Sequence, residues 1–151
     1  MRLVLLSALL LVPAMASADS TTCKTVSAVP ADATDAELQL AAKVSLANCT
    51  AEANFAQLKL APDDASMHAL TAAAQPSLDM LDDVIRSDDA RMAPIAQAAR
   101  ADLLAGMAVR MRDSIAPVTM DTVGEPLAEH DREHAAIEAK IKPWLDQAQS
   151  R

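Results

Sequence analysis

The stretch His130-Asp131-Arg132-Glu133-His134 holds the residue types and spacing most suited to chemistry. Two imidazoles at i and i+4 on a helix point the same way and can share one metal ion. Leu127, Ile137, Ile141 and Trp144 extend the same 3-4-3-4-3 spacing, which predicts that both rings lie on a buried stripe. Imidazole suits copper and zinc, and thioether sulfur suits copper. Met107 and Met111, one helical turn apart, and His68 are therefore further candidate ligands. The competing expectation is structural: half-buried rings bonded to neighbouring helices, Asp131 or Glu133, with methionines filling gaps in a helical core.

As letters, the stretch is also the H-x-x-E-H pattern of the inverted zinc metalloproteases. Those enzymes need a third protein ligand on a later helix, and only 17 residues (151 − 134) follow His134. On a helical wheel Glu133 also lies about 80° from the centre of the histidine stripe. Other catalytic patterns are missing. Two glycines cannot build a phosphate-cradling loop, and no serine sits in a nucleophile elbow. Covalent haem needs Cys-x-x-Cys-His, which the chain lacks, and Phe55 and Trp144 are poor lining for a free haem. No enzyme is expected.

Arg100 and Arg110 project onto an otherwise apolar helix face, so each awaits a carboxylate or anionic partner or snorkels to water. Asp79, Asp82, Asp83, Asp88 and Asp89 lack the Asp-x-Asp-x-Asp-Gly loop of a calcium site, and read as a solvated face and helix caps.

The chain opens with Arg2, an apolar run from Leu3 to Val12, and Ala14-Met15-Ala16-Ser17-Ala18. That is the pattern of a secretory signal peptide over 1–18, too short to span a bilayer. Its removal leaves 133 residues (151 − 18) and a formal charge of −9 (12 − 21), since Arg2 is the one charge lost. A periplasmic or secreted location follows, where a Cys23–Cys49 disulfide is the natural pairing. Such a bridge closes a loop of about 27 residues, worth roughly 3–4 kcal/mol in the chain-entropy account. The acidic charge and near-absence of aromatic residues speak against nucleic-acid binding, and no membrane contact is expected after signal cleavage.

Residues 19–33 read as an extended arm, and 34–151 as one all-α domain, a helical bundle of four or five helices. Thr34-Asp35-Ala36-Glu37 is a capping box that opens a helix expected to reach Leu60. Leu40, Val44, Ala47, Ala51 and Phe55 form one apolar line on it. Leu38, Ala42, Cys49 and Ala53 form a second, so cover on both sides is expected, and this helix becomes the expected centre of the molecule. The disulfide would pin residues 23–30 across that second face.

Further helices are expected over 64–86, interrupted or kinked at Pro76, from Pro94 to about Ser114, and from Pro126 onward, straight or kinked at Pro143. Gly106 falls in the apolar face of the third of these and would permit close helix approach. The chain is expected to act as a non-catalytic protein that binds an unknown protein partner or itself. The alternative is a copper- or zinc-binding protein using His130 and His134.

Overall fold

The computed structural model describes residues 31–119 and 122–150. Among them the regular elements are four helices, α1 (Asp35–Phe55), α2 (Asp64–Arg86), α3 (Met92–Asp113) and α4 (Glu125–Gln149), and no strand. The all-α bundle expected from the sequence is thus present, with four helices. The signal segment 1–18, the arm up to residue 30, and Cys23 with its pairing to Cys49 lie outside the described residues.

The helix ends follow local chemistry. The capping box opens α1: the Glu37 N–H donates to Thr34 Oγ1 at 3.3 Å, and the Thr34 N–H donates to Glu37 Oε2 at 2.7 Å. Glu37 is buried and its second oxygen lies 3.3 Å from Arg91, which ties the start of α1 to the start of α3. Asp63 caps α2 by accepting from the Ser66 N–H at 2.7 Å. Asp89 caps α3 by accepting from the Met92 N–H at 2.8 Å. Helix α1 ends five residues before Leu60; Leu58 and Leu60 instead turn back against the core.

Pro76 neither splits nor ends α2, which runs through it. The missing N–H leaves the ladder thin there, and side chains bind α1 to α2 at the same level. Ser77, fully buried, donates to the Ala47 carbonyl at 2.7 Å, and the Asn54 amide donates to the Ala73 carbonyl at 2.9 Å. Pro143 is likewise inside a continuous α4.

Three ion pairs and one hydrogen bond give the register. Lys43–Asp83 and Asn54–Ala73 set α1 antiparallel to α2, whereas Arg91–Glu37 and Arg110–Glu52 set α1 parallel to α3. The helix whose backbone runs close to all three others is α3, not α1. Met92, Ala96, Leu104, Met107, Ala108 and Met111 of α3 are buried, shared between two clusters. One cluster joins α3 to Val44, Ala47, Leu81 and Val84; the other joins it to Phe55, Leu70, Ile137 and Ile141.

The predicted second face of α1 stays open at Leu38, Ala42 and Ala53, while Cys49 on it is half-buried. Gly106 also departs from expectation: a Cβ there would meet nothing within 4 Å, so no close helix approach depends on it.

Candidate functional site

Helix α4 is staggered along the bundle. Arg112, one residue from the end of α3, meets Glu138 through two hydrogen bonds of 2.5 and 2.7 Å, and Arg100 meets Gln147 further along. Lys140 reaches Asp64, the first residue of α2, at 2.5 Å. The segment before Ile137 therefore stands beyond the ends of both α2 and α3. From Glu125 that is 12 residues (137 − 125), roughly 18 Å of helix at about 1.5 Å per residue.

Burial follows the stagger. In α4 only Ile137 and Ile141 are buried, and between residues 125 and 136 only His130 and Glu133 are partly covered. Gly124 starts the projection with φ 69° and ψ −133°, a conformation that side chains disfavour, and Pro126 continues it. Val118 and Val123 of the preceding connection are exposed, as is Leu127, at 36%.

His130 and His134 sit on this projecting half, which corrects the expectation of a buried stripe. The stripe is real, but only its second half has a bundle to face. The ring centroids are 6.2 Å apart and tilted by 37°. His134 is exposed, whereas the His130 side chain is 22% exposed. Its Nδ1 is sealed from solvent without a hydrogen-bond partner among the described residues, and Asp131 Oδ1 lies 3.6 Å away. A buried polar nitrogen without a partner is uncommon and costs stability. Glu133, between the rings in sequence, is half-buried.

The other candidate ligands are not gathered here. Met107 and Met111 are fully buried in the core, and His68 is exposed on α2. Among the described residues no three His, Cys, Asp or Glu side chains converge as a metal-holding group. A lone ion at the pair would thus find two imidazoles from this chain.

Both singled-out arginines have carboxylate partners. Arg100 Nε donates to Asp82 at 2.9 Å. Arg110 donates to Glu52 at 2.6 Å while its guanidinium lies 4.9 Å over the Phe55 ring. Hydrogen bonding to Arg112, aided by its charge and that of His134, holds the Glu138 carboxyl below the usual range. Of the aspartates, Asp89 caps α3, Asp79 accepts from the Gln75 amide, and Asp82 and Asp83 are ion-pair partners; Lys43 and Arg86 hold Asp83 low in the same way.

A shallow depression of about 390 Å³ lies where α1 and α3 end, lined by Glu52, Phe55, Leu58, Leu60, Arg110 and Asp113. Sequence patterns did not indicate it, because it needs two chain segments about 50 residues apart to meet. Its one cation is already engaged by Glu52 and Phe55. No described helix is long and apolar enough to cross a membrane. No protein-family model, no curated protein and no solved structure matches the chain.

Proposed function

We propose that this chain is an exported, non-catalytic binding protein whose docking element is the projecting half of α4. The observation that carries the reading is the set of three helical turns, 125–136, in which no residue is fully buried, His130 is partly covered, and Leu127 and His134 are exposed. A helix of that length held clear of its own core gains from tertiary packing once a partner covers it. Export rests on the signal pattern of residues 1–18, with an arm tied through Cys23 and Cys49 in the periplasm or outside the cell. Amino-terminal sequencing of the mature protein is expected to begin at Asp19.

A photo-crosslinking residue in place of Leu127, in living cells, is expected to yield one adduct of defined mass. The same residue at Gln97, exposed on α3, is expected to yield none. Equal, diffuse labelling from both positions would remove the docking reading.

A second reading, copper or zinc binding at His130 and His134, is favoured by the orphaned His130 Nδ1. Metal on Nε2 places a proton on Nδ1, and a modest rotation of the exposed Asp131 side chain would let it accept that proton's hydrogen bond. Elemental analysis of wild type beside a His130→Ala/His134→Ala double variant tests it. Stoichiometric metal in the wild type, lost in the variant with helicity intact, is the expected result.

A further inference from the structure

The stripe that buries Ile137 and Ile141 continues unchanged through His134, His130 and Leu127, so the histidines face the step between the projecting helix and the ends of α2 and α3. We infer that a second copy of this chain fills that step, and that one transition-metal ion is shared by the His130–His134 pairs of the two copies; this rests on the metal-binding reading above. Three observations converge on it.

The first is the ligand count. Zinc and copper take four ligands at about 2.0–2.1 Å in sites of this kind. The chain brings two imidazoles together and no third candidate among its described residues. Two chains supply four imidazoles. The centroid separation of 6.2 Å is close to the roughly 5 Å that two imidazoles at such metal distances require, and the exposed His134 ring is free to close the difference.

The second is shape. A projecting helix beside a recessed end is complementary to its own copy turned by a two-fold axis: each helix lies in the other's step. Such an arrangement is isologous and closed, and brings equivalent histidines together near the axis. Leu127, exposed on the same stripe, then meets apolar surface on the partner copy.

The third is charge. Each chain is strongly acidic, −8 over its full length, and Glu129, Asp131 and Glu133 crowd the projecting turns. Two such surfaces repel each other until a cation lies between them.

Metal-stripped mature protein, with its amino-terminal arm intact, is titrated with zinc chloride and separately with copper(II) chloride. Sedimentation gives the mass, and elemental analysis gives the bound ion. The expected result is a doubled mass with one ion per two chains, reversed by EDTA. His130→Ala and His134→Ala should each weaken metal-driven dimerisation at least tenfold while keeping wild-type helicity, since neither ring belongs to the core. One ion per chain without a change in mass would overturn the shared site and leave the metal reading standing. No uptake of either ion would overturn both. A dimer that forms equally well in EDTA and in both variants would overturn the shared ion.

Discussion

Gly106 and Gly124, the two glycines of the chain, have opposite roles. Gly106 is in the middle of α3 with ordinary helical backbone and open space where a Cβ would go. Gly106→Ala is expected to stabilise the fold by about 0.5–1 kcal/mol, because alanine loses less backbone freedom on entering a helix. A urea titration measures this; a lowered midpoint would mean the space is not there. Gly124, at φ 69° and ψ −133°, occupies backbone space closed to alanine. Gly124→Ala should cost about 1–3 kcal/mol or redirect the start of α4. Spacing alone could not separate these two positions: glycine between apolar residues looks alike whether or not another helix passes close. The capping box at Thr34 and Glu37 was legible, since both partners lie within one turn. The link from Glu37 to Arg91 was not, being a contact between helices 54 positions apart (91 − 37).

At the level of the helices, the sequence points to α1 as the centre because its apolar residues run on two sides. The structure gives that place to α3, although Arg100 and Arg110 project onto its apolar face and Arg112 stands near its end. Those arginines are instead the connections: Asp82 on α2, Glu52 on α1 and Glu138 on α4 each hold one. Charged residues inside an apolar face count against burial in any periodicity argument, and only the partner helices show why they are tolerated. The stagger of α4 was also hidden. A stripe records which way a helix faces, not how far its neighbours extend.

The Arg112–Glu138 pair fixes that stagger and has a pH signature. Arg112 lowers the Glu138 pKa in the folded protein, so the pair stabilises above the unfolded-state value of about 4.3 and loses its effect as pH falls through the lower folded value. Glu138→Gln should therefore be less stable than wild type at pH 7. The difference should shrink below about pH 4, read from urea midpoints at each pH. A gap that stays constant down to pH 2 would show that the pair contributes through packing and not through charge.

Taken as a whole, the molecule is three helices packed through two clusters, with a fourth that joins one of them by its second half. Ile137 and Ile141 are the buried side chains of that attachment, and Ile141→Ala is expected to cost about 2–5 kcal/mol. All-helical character was legible because strand alternation is missing; helix number stayed at four or five, because sequence alone does not show that helices run on through Pro76 and Pro143. How α4 is shared between core and solvent was not legible. Trp144, the sole tryptophan, lies on the attached half, packed against the core cluster. Nature has thus placed the chain's only strong fluorophore at the root of α4 and none at its tip. Its emission should be blind to fraying of residues 125–136 and should shift only when the helix lifts off. Compared with total ellipticity during unfolding, that single colour change would tell whether the fourth helix departs with the others or before them.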